Sequence, residues 1–179
     1  MTADERSTFR YFSYGSNMLS GRLKDRCPSA RPLGVAQLSG HELRWHKRSR
    51  DGSGKCDVVP SSNGQVVLGV VYEIVESERA DLDRAEGCGN GYVRTNVQVN
   101  LNGEAVTAST YVATKVDPSI KPYTWYKALV VAGAKEHGLP ADYIASLETV
   151  EASKDPDCTR HTDSMRIVSA ANHSDEAQA

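Results

Sequence analysis

The sequence predicts an α+β fold: a mainly antiparallel sheet or small β-barrel with short peripheral helices. Apolar runs of strand length recur from Phe9 to Thr114. The dipeptides Asn63-Gly64 and Asn102-Gly103 fall between such runs, and Asn-Gly supplies the positive backbone angles of a tight hairpin turn, so several strands are expected to be antiparallel neighbours. Helical spacing gathers near the end of the chain, so the strict strand and helix alternation of a doubly wound sheet is missing.

Taken in order, residues 1–8 are small and polar and are expected to be flexible, as are residues 169–179, which leaves 9–168 as a single domain. An apolar strand, Phe9 to Tyr14, stops at Gly15-Ser16-Asn17 before a helical stretch. Strand signals follow at Arg31 to Trp45, broken near Ser39-Gly40, then at Cys56 to Val59, Val66 to Val75, Tyr92 to Leu101 and Glu104 to Thr114. A short helix, Ser77 to Ala85, is closed by Glu86 just before the run Gly87-Cys88-Gly89-Asn90-Gly91-Tyr92. Later, Tyr126, Leu129, Val130, Gly133 and His137 share one helix face. Gly138 suits the left-handed C-terminal position, Pro140 opens the next helix, and Tyr143, Ile144, Leu147 and Val150 continue the pattern.

Composition narrows the function. A chain of 179 residues with 39% hydrophobic content can build one core, and a net charge of -2 without a long basic block argues against a nucleic-acid partner. The local basic stretch His41 to Arg50 reads as a strand with a solvated face. Cys27, Cys56, Cys88 and Cys158 form no CxxC pair, so free thiols in a reducing cytoplasm are expected. Cys158 and His161 lack a second ligand pair, so no metal is expected. The segment MTADERST lacks the apolar stretch of a secretory signal and no run approaches bilayer length, so a soluble, intracellular protein without a membrane partner is expected.

Two places carry chemistry. Glycine at a strand-to-helix junction lets backbone approach a ligand, and the exposed amides of Tyr14-Gly15-Ser16-Asn17-Met18 suit a carboxylate or an oxyanion; a capped tight turn is the plain structural alternative. The second place is Glu86. A helix C-terminus carries partial negative charge, so a carboxylate there is disfavoured in its charged form, which is useful in an acid/base catalyst. Cys88 has an anionic neighbour rather than a base and reads as a packing residue, and Ser16 has neither a nucleophile elbow nor a histidine placed to activate it. The five histidines do not cluster, and His137 is expected to meet terminal helix carbonyls. Tyr92, Tyr111 and Tyr126 sit in apolar segments, either as core residues with satisfied hydroxyls or as the lining of a polar pocket.

The segments FRYFSYGSNM at 9–18, LDRAEGCGNGYVR at 82–94, STYVATK at 109–115 and PYTWYKALVVAGAKEHGLPADYIASLE at 122–148 together resemble the gamma-glutamylcyclotransferase family, in order over most of the chain. The resemblance implies a small mixed, mainly antiparallel barrel whose cavity converts a gamma-glutamyl compound to 5-oxoproline and a free amine, with no cofactor or metal. It implies Glu86 as the acid/base, Tyr14 through Met18 as the substrate-binding loop, and Tyr92, Tyr111 and Tyr126 as cavity lining. A homodimer is left open. Two departures stand out: the stretch from Glu86 to Tyr92 is short and glycine-rich, which bears on substrate choice, and Met18 replaces a common Leu, which does not.

The chemistry also fits the residues themselves. A gamma-glutamyl amide carries its own nucleophile, the alpha-amine, so ring closure needs a folded conformer and a proton carrier rather than a serine or cysteine nucleophile. Two rivals remain: a module that binds a small acidic gamma-glutamyl-like metabolite without converting it, and a cyclotransferase that deprotects a larger gamma-glutamyl-acylated biosynthetic intermediate.

Overall fold

Strand-forming residues organise the first two structural layers of the computed structural model, which describes residues 7–176. Five strands close a barrel in the order β1 (Thr8–Ser13), β5 (Val66–Val75), β2 (Arg31–Ser39), β6 (Tyr92–Leu101) and β7 (Glu104–Ala113). Neighbours are antiparallel except at the closure, where β1 runs parallel to β7 through the pairing of Tyr11 with Ser109. The expected mixed, mainly antiparallel barrel with peripheral helices is the observed fold.

Local chemistry accounts for most boundaries. Asn102 and Gly103 both take positive φ, and Leu101 faces Glu104 across a two-residue hairpin, as the Asn-Gly pair predicts. Gly40 turns at φ 68 and separates β2 from β3 (His41–Arg48), where the sequence shows the break. Asn63-Gly64 behaves differently. β3 pairs with β4 (Gly54–Pro60) as a separate two-stranded sheet and β5 joins the barrel, so the strands flanking this turn are not ladder partners. An Asn-Gly turn fixes a chain reversal, but the partner of each strand depends on which buried face it completes.

The helices cover the barrel. α1 (Ser20–Lys24) follows the turn after β1, and α2 (Arg79–Glu86) precedes β6. α3 (Thr124–Glu136) buries Trp125, Tyr126, Leu129 and Val130, and α4 (Ala141–Glu148) follows after Gly138, which is left-handed as expected. Gly133 allows α3 its closest approach: a Cβ there would lie 2.5 Å from the Leu19 nitrogen and 2.7 Å from the Met18 carbonyl carbon. That contact seats α3 directly on the turn after β1.

One helix was not anticipated. α5 (Cys158–Glu176) continues through residues expected to begin a loose tail, with Met165, Val168 and Ala171 on its inner side against the core. Thr8, also expected in a flexible terminus, pairs with Val75. Residues 1–6 and 177–179 of the two expected tails lie outside the described residues. Ahead of α5, buried Asp155 accepts from Trp125 Nε1 at 2.7 Å and from Arg160 at 2.7 and 2.6 Å, tying the segment to α3. All four cysteines are unpaired thiols, and no described helix is long and apolar enough to cross a membrane.

Candidate active site

A small cleft opens where the end of β1, the following turn and the C-terminus of α2 meet, with a cavity volume of about 30 Å³. Its floor is Tyr14-Gly15-Ser16-Asn17, of which Ser16 and Asn17 begin a short 3-10 turn whose carbonyls serve Met18 and Leu19. The Ser16 and Asn17 amides donate to no described acceptor, so they remain available to a ligand. Ser13, 1% exposed, lines the same space, and its Oγ has no hydrogen-bond partner among the described residues.

Glu86 reaches the cleft because of how α2 is seated. Leu82 is fully buried, Asp83 accepts from the Tyr111 hydroxyl at 2.6 Å and from Arg94 at 2.6 Å, and Glu86 follows one turn later on the same face. Gly87, left-handed at φ 68, ends the helix directly after it. Glu86 Oε1 accepts from Asn17 Nδ2 at 2.6 Å and from Arg26 at 2.9 Å, and Arg26 also donates to Asn17 Oδ1 at 2.9 Å. The three side chains form a closed ring of bonds. Oε2 accepts no hydrogen bond from a described residue, so one carboxylate oxygen is pinned and the other is free.

Charge around Glu86 is set by arginines rather than by the helix end alone. Arg22, one turn before Arg26, donates to Ser16 Oγ at 3.1 Å beneath the turn. Burial, reinforced by the neighbouring Arg26, pulls the Arg22 guanidinium down to about 10, so it stays cationic at neutral pH. The cleft therefore sits over a positive base, which suits an anionic ligand.

Tyrosines build the walls. Tyr11 accepts from Asn17 at 3.2 Å, Tyr14 donates to the Tyr111 carbonyl, Tyr92 donates to the Cys56 carbonyl, and the Tyr126 hydroxyl accepts from the Cys56 amide at 3.1 Å. Tyr92, Tyr111 and Tyr126 each have a bonded hydroxyl, and each lines the cleft. Burial raises Tyr14, Tyr92 and Tyr126 well above the ordinary phenol value, so they remain neutral and are poor bases. Cys56 also lines the cleft, and burial pushes its thiol up to about 12, which leaves it a poor nucleophile.

Met18 is the one anticipated ligand-loop residue outside the cleft lining: its side chain is fully buried, and its carbonyl accepts from the Tyr72 hydroxyl at 2.7 Å. His137, expected to meet terminal helix carbonyls, instead places its Nε2 2.8 Å from the Tyr72 hydroxyl and 3.2 Å from Ser20 Oγ. Arg22, Arg26, Tyr11, Ser13 and Cys56 were not singled out from the sequence. Of these, the arginines had a readable signal, being four residues apart just after a proposed anion-binding turn.

A model of the AIG2-like family matches residues 66–147. The chain is 35% identical over 157 residues to the human gamma-glutamylcyclotransferase, covering 84% of this chain and 83% of the relative. The chain belongs to the gamma-glutamylcyclotransferase family. The mouse gamma-glutamylcyclotransferase is similarly 35% identical over 163 residues, with coverage of 84% and 82%. A solved gamma-glutamyl cyclotransferase structure aligns with a TM-score of 0.81 at 30% identity, covering 92% of this chain and 99% of that one. The likeness to these relatives thus extends beyond the residues matched by the family model, over 84% of the chain in sequence and 92% in structure. Among the described residues, no group of three or more His, Cys, Asp or Glu is disposed to hold a metal ion.

Proposed function

We propose that this protein is a gamma-glutamylcyclotransferase that cyclises a gamma-glutamyl amino acid or amide to 5-oxoproline and releases the attached amine, acting as one domain over residues 9–168 in the cytoplasm. The observation that carries the reading is Glu86, with Oε1 held by Asn17 and Arg26 and Oε2 free in a cleft floored by unsatisfied amides. The names of its relatives support the reaction class.

The chemistry follows from what each group can do. The substrate's alpha-amine attacks as the neutral NH2, and Glu86 Oε2 is the free carboxylate oxygen that can take the one N–H proton this nitrogen sheds as it attacks. The amine nitrogen attacks the gamma-carbonyl carbon, a C–N bond forms, and the carbonyl oxygen becomes an oxyanion stabilised by the Ser16 and Asn17 amides. Collapse breaks the original amide C–N bond, and Glu86 returns the proton to the departing nitrogen. Because attack is intramolecular, the tyrosine walls contribute by holding the folded conformer. Tyr14 to Asn17, Tyr92, Tyr111 and Tyr126 are accordingly the binding surface.

Glu86→Gln preserves shape and loses the proton carrier. Release of 5-oxoproline from gamma-glutamyl-alanine should fall by roughly 10²- to 10⁴-fold with the fold intact. Undiminished turnover in this variant would remove Glu86 from the chemistry. Absence of turnover in the unaltered protein with gamma-glutamyl amino acids and amines alike would favour a non-catalytic binding module.

A further inference from the structure

The basic stretch His41 to Arg50 is not a uniform cationic face. Arg44 is engaged by Glu42, and His46 lies 2.9 Å from buried Asp57. Lys47, Arg48 and Arg50 gather instead in a groove with the Gly87-Cys88 end of α2, and Glu86 lines both this groove and the cleft. None of these three side chains forms an ion pair or a side-chain hydrogen bond with a described residue, whereas Arg84, also in the groove, is paired with Asp81 at 2.7 Å.

Lys47 is the innermost of the three. Its ammonium lies 4.6 Å from the centre of the Tyr92 ring, and a methyl group on Gly91 would come within 3.2 Å of Nζ. The lysine therefore rests between a cleft wall and the glycine-rich segment, and a side chain at Gly91 would press on it. Burial lowers its pKa, while the charge of Glu86 acts in the opposite direction. An unpaired, half-buried ammonium is held at a cost unless a ligand anion compensates it.

We propose that this groove selects gamma-glutamyl compounds whose leaving amine carries negative charge, with Lys47 as the inner contact and Arg48 and Arg50 as outer ones, so that dianionic leaving groups are preferred over monoanionic ones. The inference rests on the cyclotransferase reading. In that reaction the leaving nitrogen must lie within reach of Glu86, and the groove begins at Glu86, so whatever the nitrogen carries extends among these cations. One alpha-carboxylate needs one partner, and three cations with no ion-pair partner within 4 Å among the described residues, although Glu86 and Asp51 act on Lys47 and Arg48 on Asp117 at longer range, leave capacity for a second anionic group.

The test compares gamma-glutamyl-glutamate with gamma-glutamyl-glutamine, whose leaving groups share a shape and differ by one charge, alongside gamma-glutamyl-ethylamide, with 5-oxoproline release giving kcat/KM. The glutamate compound should be favoured over the glutamine compound by about fivefold at low salt, and the preference should shrink at high salt. The Arg48→Gln/Arg50→Gln double variant, altered only at exposed positions, should bring that ratio close to one. Lys47→Arg should retain it and Lys47→Met should lose it. A ratio at or below one in the unaltered protein, or one unmoved in the double variant, overturns the proposal. Equal efficiency with all three compounds removes the charge preference and leaves the cyclotransferase reading standing. No 5-oxoproline from any of them removes both.

Discussion

Asn17 Nδ2 donates to Glu86 Oε1 at 2.6 Å, joining the turn after β1 to the last residue of α2 across 69 positions of sequence. Arg26 bonds to both residues, so the orientation of Glu86 is set by a side-chain ring rather than by the helix alone. Fixing a carboxylate by one oxygen is a direct way to present the other, because rotation about the terminal bond is then restricted.

Asn17→Ala opens that ring from the middle. Glu86 keeps Arg26 but loses the amide that fixes its tilt, and Tyr11 loses its donor. The expected result is a fall in kcat of about tenfold or more with a smaller change in KM, because the proton carrier is mispositioned while the cleft stays open. A rise in KM alone would show that Asn17 serves ground-state binding and does not position Glu86.

Gly133→Ala tests whether α3 holds the turn in place. The added methyl would sit within 2.8 Å of the backbone and Cβ of Met18 and Leu19, and backbone cannot swing aside as a flexible side chain would. Overpacking of this kind costs about 1–3 kcal/mol, more than the roughly 1 kcal/mol that alanine gains over glycine in a helix. Urea denaturation should show a net loss of stability, and turnover should drop because Ser16 and Asn17 shift with Met18. A variant of unchanged midpoint and activity would show that α3 and the turn move apart freely.

Asp155→Asn probes the anchor of the C-terminal segment. The Arg160 guanidinium, with further help from the Asp157 amide and Trp125, holds the Asp155 carboxyl well below the usual carboxylate range despite its burial. A folded-state pKa lowered in this way gives stability that is present above the unfolded value of about 4 and is lost as pH falls towards the folded value. The variant should melt below the unaltered protein at pH 7, and the gap should narrow as pH drops below about 4. A gap independent of pH would mean that Asp155 contributes by shape and not by charge.

The fold was legible where a local rule decides the outcome. Asn102-Gly103 specifies a hairpin by backbone angle, Gly138 ends α3, and the spacing of Leu129, Val130 and Gly133 marks a buried helix face. Pairing of β3 with β4 was not legible, because alternation shows that a strand has a face and not which sheet that face completes. α5 was missed because its core-facing apolar residues are few, Met165, Ile167, Val168 and Ala171 among Ser, Thr, Asp and His, so its helical form depends on packing against the core. In the site, the turn and Glu86 could be read from residue type and position. The spacing of Arg22 and Arg26 could be read as a basic pair beside the turn, but the bond from Arg26 to Glu86 could not, since it exists only where the segment after α1 meets the end of α2.

The pairing of Tyr11 with Ser109 leaves the barrel with a narrow join between its first and last strands. Two hydroxyls reinforce it: Thr110 Oγ1 donates to the Phe12 carbonyl at 2.8 Å, and Tyr14 donates to the carbonyl of Tyr111. The β1–β7 join beside the cleft is therefore held largely by side chains, whereas β1–β5, β2–β5 and β6–β7 are joined by long main-chain ladders. Such a border is editable: a single hydroxyl lost from it should loosen the cleft side of the barrel while the long ladders keep their pairing.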